Sequence, residues 1–250
     1  MIFEKNETVR EIAIRHPESV RVFETLGIDY CCGGKRPLAE ACKNANVPLA
    51  KLLEMLGELE AKAGGEEQWS PEGASAAELA AHIVERHHGF VRAEAPRLQA
   101  LAAKVVTRHG QAHAELGPIQ DAFEALVEEL SGHMMKEERI LFPFIAQMEK
   151  AIGNGGPAPA GCFPSVEFPI SRMLAEHEDA GALTARIREL AGGFQAPADA
   201  CPTYRALYHG LEQFERDLHY HIHLENNILF PRTVEMERRL QESADVSVHN

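Results

Sequence analysis

His133-Met-Met-Lys-Glu137, running on through Glu138-Arg139 into Ile140-Leu141-Phe142-Pro143, returns 88 residues later as His221-Ile-His-Leu-Glu225, with Ile228-Leu229-Phe230-Pro231 at the same offset. On a helix, a His and a Glu four residues apart project from one face, one turn above the other. Imidazole with carboxylate suits iron, manganese, zinc or copper, and a carboxylate that bridges suits a pair of metals. Two such pairs facing each other inside a four-helix bundle are the ligand arrangement of a dinuclear site. A surface His–Glu couple explains one copy of the motif, but not two copies in register.

Composition narrows the classes. The chain has 250 residues, enough for one large domain or two ordinary ones. Its net charge of −13 argues against a nucleic acid or an anionic membrane as partner. Residues 1–64 carry only −1 of that charge, so two units of different character are expected. No apolar run is long enough to span a bilayer, and residues 1–7 lack the apolar core of a secretory signal. Five cysteines, an odd number at irregular spacing, suit a reducing compartment better than a disulfide framework. A soluble cytoplasmic protein is expected, with monomer and homodimer both open.

Almost nothing reads as strand, so the expected fold class is all-α. Four short helices fit a small N-terminal domain over residues 1–63, joined by a linker over 64–74 to an antiparallel four-helix bundle over 75–241. Thr8 with Glu11 and Ser75 with Glu78 are capping-box pairs that open helices. Gly27 can end the second helix, and Pro48 can start the fourth, whose apolar face is Leu49, Leu52, Leu53, Leu56 and Leu59. In the bundle, Pro96 is expected to kink the first helix. A turn over 110–118 and further helices at about 119–152, 165–190 and 203–241 follow, with a frayed tail over 243–250.

A lone His stands about 45 residues before each motif, His88 before His133 and His177 before His221. The repeating unit is therefore a helix with one His followed by a helix with His-x-x-x-Glu, an internal two-fold repeat of helix pairs. Four His and two Glu make six donors. If Glu137 and Glu225 both bridge, each metal receives two imidazoles and two carboxylate oxygens, leaving room for an oxo or hydroxo bridge and an external ligand. No Cys stands at matching positions, which disfavours structural zinc. Iron is the expected metal, with manganese the alternative. His87 adjoins His88, and only the repeat spacing favours His88 at this point. His219 and His223 lie about 200° around the helix from His221 and should face solvent. Glu129 and Asp217 each lie one turn before a motif His, as partners for imidazole N–H groups, as proton relays or as ordinary acidic surface positions.

With the loop Tyr30-Cys31-Cys32-Gly33-Gly34 upstream, the paired motifs resemble the RIC/ScdA family of iron–sulfur cluster repair di-iron proteins over nearly the whole chain. That family joins an ScdA-type N-terminal domain to a hemerythrin-like bundle. The resemblance implies His88, His133, His177 and His221 as imidazole ligands, Glu137 and Glu225 as bridging carboxylates, and two non-haem iron ions as cofactor. Hemerythrins themselves use five His, one more than this set. Glu176 resembles an acidic residue that the family places near its di-iron site. The implied function is repair of iron–sulfur clusters damaged by oxidative and nitrosative stress, with damaged iron–sulfur proteins as partners and the chain as iron donor.

Cys31 and Cys32 are the second functional candidate. Glycines let such a loop adopt backbone conformations closed to other residues, and Lys35 and Arg36 would lower a thiol pKa toward the reactive thiolate. Cys42 reads as a small packing residue. Whether the chain is an enzyme stays open. Two ferrous ions could hold two nitric oxide molecules for reduction, with Glu129 as a nearby acid. A third alternative is reversible binding of O₂ or nitric oxide by a sensor or carrier.

Overall fold

The structure, a computed structural model, describes residues 7–62 and 71–248. The expected linker falls largely outside them, as does the side chain of Leu59. No β-strand occurs among the described residues.

The N-terminal unit packs α1 (Val9–Arg15), α2 (Val20–Leu26), α3 (Leu38–Asn44) and α4 (Leu49–Lys62), with a single 3₁₀ turn at Pro17–Ser19. Both halves of the Thr8–Glu11 capping box form, and Gly27 ends α2 in the left-handed conformation at φ 64°. Ile12, Phe23, Tyr30, Leu38, Leu52 and Leu56 are sealed inside. The loop between α2 and α3 returns to α1, where the Arg10 and Val9 amides donate to the Gly34 and Arg36 carbonyls at 2.7 and 3.1 Å.

Four long helical runs follow. The first is α5 (Ala76–His82), a π-helical segment Ile83–His88 and α6 (Gly89–His109). The second is α7 (Leu116–Lys136), a π segment Glu137–Leu141 and α8 (Phe142–Asn154). The third is α9 (Glu167–Leu190). The fourth is α10 (Pro202–Leu224), a π segment Glu225–Leu229 and α11 (Phe230–Val248). Ser75 and Glu78 close the second capping box at the start of α5. Pro96 lies within α6, which continues to His109 as one helix. Helix α7 begins at Leu116, before the expected start, because the Ile119 amide already bonds to the Glu115 carbonyl. The expected frayed tail is also corrected. Helix α11 continues to Val248, with no proline or glycine after Pro231 to stop it, and residues 249–250 lie outside the described part.

Two apolar clusters fill the four runs. One gathers Ile83, Leu141, Phe142, Met173, Leu224 and Ile228; the other gathers Val91, Leu126, Met134, Ala180, Leu218 and Ile222. The first and third runs meet the former cluster first, whereas the second and fourth meet the latter first. That alternation is the signature of antiparallel neighbours. Between the two clusters every run crosses one polar layer, at residues 87–88, 133–137, 177 and 221–225.

Candidate metal centre

Three of the four runs carry a π segment at the polar layer, the exception being α9 with His177. In each His-x-x-x-Glu copy the Glu opens a π turn whose wide bond runs from the Phe142 amide to the Glu137 carbonyl, and from Phe230 to Glu225. The prolines of the repeat explain it. Pro143 and Pro231 have no N–H, and in an α-helix their rings would strike the carbonyl four residues back, at Arg139 and Asn227. Widening the turn by one residue relieves the clash, as π-bulges at functional sites commonly do. The phenylalanine before each proline then stacks on a lone imidazole. Phe142 lies on His88 and Phe230 on His177, both at 6.0 Å between centroids and nearly parallel.

His88, His133, Glu137, His177, His221 and Glu225 converge, each at most 3 % exposed. They form two four-donor groups with the geometry to hold a metal ion: His88 and His221 with both glutamates, and His133 and His177 with the same two. Each carboxylate turns one oxygen toward each group. Glu137 Oε2 lies 3.3 Å from His88 Nε2, and its Oε1 lies 3.1 Å from His133 Nε2. Glu225 Oε1 lies 3.1 Å from His221 Nε2, and its Oε2 lies 3.0 Å from His177 Nε2.

The donor set fits a cation. Both Glu137 oxygens, Glu225 Oε2 and His88 Nε2 are buried with no hydrogen-bond partner among the described residues. Such groups are costly to bury unless a counter-charge meets them. Protons stand in for part of that charge. Burial draws the His133 imidazole down, but the Glu137 and Glu225 carboxylates outweigh it and lift it to about 9. His88 is also raised, by Glu137 above all, against the pull of burial. Glu225 stays well below the usual carboxylate range, because His221 and His177 outweigh its desolvation.

Three imidazoles are fixed from behind through Nδ1. His88 meets Glu138 Oε1 at 2.6 Å, His133 meets Glu176 Oε2 at 2.9 Å, and His177 meets Asn226 Oδ1 at 2.7 Å. Arg92 pairs with Glu138, while Lys136 and Arg172 pair with Glu176, so these acceptors are themselves held. Desolvation notwithstanding, the Lys136, His133 and Arg172 bonds draw Glu176 down to about 2.

A family model described as the hemerythrin HHE cation binding domain matches residues 79–233, and the ScdA_N model, a domain of unknown function, matches residues 5–60. The iron–sulfur cluster repair protein YtfE of Pectobacterium atrosepticum is 39 % identical over 234 residues, covering 93 % of this chain and 99 % of that protein. The chain belongs to this family. Other relatives of the same name are those of Musicola paradisiaca, 37 % identical over 233 residues, and Yersinia pestis, 34 % identical over 233 residues. They cover 93 % of this chain in both cases, and 98 % and 99 % of the respective relatives.

Several expectations need correction. His223 is buried and His219 half-buried, because the N-terminal unit covers the face of α10 that would otherwise meet water. His223 Nδ1 lies 3.4 Å from the Tyr30 carbonyl, and His219 Nδ1 lies 3.1 Å from Glu24 Oε1. Of the two symmetric acids, Asp217 bonds to His87 at 3.1 Å rather than to His221. Glu129 is exposed and lines a cavity of about 270 Å³ beside His133, Lys136, Arg172, Glu176 and His177. Glu138 and Asn226 were passed over, although each directly follows a motif Glu and so could have been found.

The thiol loop also works differently from its expected reading. Cys31 is buried, Cys32 is exposed, and their sulfurs are 3.8 Å apart. Sharing a proton with Cys32, together with burial, raises the Cys31 thiol well above its usual range. The same contact lowers Cys32 against its own desolvation, with help from His177 and His219 rather than chiefly from the exposed Lys35 and Arg36. Asp29 shapes the loop by accepting the amides of Cys31, Cys32 and Gly33 at 2.9–3.1 Å. Neither Gly33 nor Gly34 has positive φ. They are needed for space, since a Cβ would sit 2.7 Å from Asp29 Oδ2 at Gly33 and 2.6 Å from the Tyr30 carbonyl at Gly34.

Proposed function

We propose that this chain is a di-iron protein that returns iron to iron–sulfur clusters damaged by oxidative or nitrosative stress. In this reading His88, His133, His177 and His221 supply imidazole and Glu137 and Glu225 bridge. The observation that carries it is the sharing of two buried, otherwise unpartnered carboxylates between two His pairs. Nitrogen and oxygen donors without thiolate suit iron. The names of the relatives, iron–sulfur cluster repair proteins, support the substrate class.

The bound metal pair is the cargo, and the surrounding residues hold and release it. Glu138, Glu176 and Asn226 fix the imidazole planes through Nδ1. The Glu176 carboxylate, kept ionised by Lys136 and Arg172, accepts the His133 Nδ1 proton, and Glu129 lies at the mouth of the same cavity as a proton carrier. Cys31 and Cys32 stand at a second cleft, lined also by Glu178 and His219, where the Cys32 thiol, lowered by its contact with Cys31, can receive the iron.

The test incubates iron-loaded protein with an enzyme whose cluster has been damaged, then follows the return of that enzyme's activity. Wild type should restore it, and Glu137→Ala and His133→Ala should not. Equal restoration by those variants would end this reading. The cavity beside His133 and Glu129 favours nitric oxide reduction as the second reading, because it admits a diatomic molecule next to an exposed acid. A single-turnover anaerobic assay that yields no nitrous oxide from the diferrous protein excludes that reading.

A further inference from the structure

A metal bond at Nε2 is directional, so each ligating imidazole needs its ring plane fixed from the far side. His88, His133 and His177 have a hydrogen-bond acceptor at Nδ1; His221 does not. Its Nδ1 is buried and meets no hydrogen-bonding group among the described residues. Two rings lie against His221: that of His88, tilted, with centroids 5.0 Å apart, and that of His87, nearly parallel at 13°, with centroids 5.6 Å apart.

His87 is placed for this task by more than proximity. It is 3 % exposed, and its Nδ1 is held by Asp217 Oδ1 at 3.1 Å, one helical turn before His221 on the same helix. Tyr220 and His82 meet its ring edge-on at 5.6 and 5.9 Å. Its Nε2 has no hydrogen-bond partner among the described residues, so it acts on His221 through its face rather than through a hydrogen bond.

Sequence offsets give a second, independent pointer. Glu138 and Asn226 each stand five residues after a motif His, and each holds the lone His of its own half. Glu176 stands one residue before His177 and holds His133. The position one residue before His88 is His87, and it meets His221. The same structural slot therefore supports a motif imidazole in both halves, by a carboxylate in one and by a stacked ring in the other.

We propose that His87, clamped by Asp217, is the positioning residue of His221, fixing its ring by stacking where Glu176 uses a hydrogen bond. The proposal rests on the di-iron reading. Removing ring support should loosen the metal of the His88–His221 group and leave the His133–His177 group unchanged. Losses of ten- to a hundredfold in metal retention are typical for such supporting residues.

The experiment loads the full chain anaerobically with ferrous iron, then follows release to a strong chelator. Circular dichroism of each metal-free variant confirms its helix content. In His87→Ala, one of the two irons should leave ten- to a hundredfold faster than in wild type, the other at the wild-type rate. Asp217→Leu, which frees the ring from its clamp, and His87→Phe, which keeps a flat ring without the clamp, should both fall between His87→Ala and wild type. Glu176→Ala should speed the other iron, so the double variant with His87→Ala should lose both quickly. Wild-type release from His87→Ala, or release from His87→Phe as fast as from His87→Ala, overturns the proposal. A wild-type chain that holds no iron pair overturns the di-iron reading itself, and the two failures are distinguishable.

Discussion

Glu137 and Glu225 are carboxylates sealed from water, and two of the imidazoles beside them, His88 and His133, are raised in compensation. That has a consequence for loading. With His133 lifted to about 9, the metal-free chain carries a proton there at neutral pH that a metal must displace. The sign follows from competition: metal affinity should rise with pH, by roughly tenfold per unit for one released proton, up to about pH 9. Above that range the dependence from this group should vanish. Titrating ferrous iron anaerobically at several pH values, with protons counted on binding, checks the slope; an affinity flat between pH 7 and 9 contradicts it. The two glutamates were legible because each belongs to a repeated motif. His87 was not, because ring stacking leaves no spacing signal and the neighbouring His88 already satisfied the pattern. Glu129 and Asp217 share an offset from their His, yet one is exposed and the other is taken by His87. Sequence symmetry sets backbone position, whereas the partner of a side chain depends on what the facing helix presents.

At the scale of the element, the decisive feature is a wide turn. The Leu-Phe-Pro runs after each motif were visible as a repeat, but their effect on backbone hydrogen bonding was not read from them. Proline inside a helix removes one bond and displaces a carbonyl, and here that distortion fixes the direction of Glu137 and Glu225. Replacing Pro143 or Pro231 with Ala permits ordinary α-helical bonding through the motif. The metal-free protein should become more stable, by up to about 3 kcal/mol for a helix-interior proline, while the carboxylate is turned off line. Iron affinity should fall at least about tenfold, the lower end for disturbed ligand support. Denaturant midpoints of the metal-free variants and iron titrations measure the two effects separately, and unchanged iron affinity would refute the role of the turn. The capping boxes at Thr8 and Ser75, by contrast, were legible and formed as read, because a cap is decided within four residues of sequence.

Across the whole molecule, the N-terminal unit does more than precede the bundle, and this was the least legible part. Glu24 reaches His219 on α10, and the Tyr30 hydroxyl donates to that same Glu24 at 2.8 Å. The Asn227 amide, two residues after Glu225, donates to the Tyr30 and Cys31 carbonyls, both at 3.1 Å. Cys31 packs into the same apolar cluster as Leu218 and Ile222. A periodicity argument sees one chain segment at a time, so it sent His223 to solvent when another unit was waiting to cover it. The thiol loop is thus tied to the π segment that presents Glu225. Asn227→Leu keeps the branched shape but takes the Asn227 donor from the Cys31 carbonyl and leaves the Tyr30 carbonyl to His223 Nδ1, which costs on the order of 1–3 kcal/mol at that contact. Amide exchange over residues 29–34 should quicken, and alkylation of Cys31, slow in wild type because the thiol is buried and its pKa raised, should speed up. Iron content should hold near wild type, because no proposed ligand is touched, while transfer to a damaged cluster falls. If transfer survives with the loop demonstrably loosened, the cysteines are not on the route by which iron leaves.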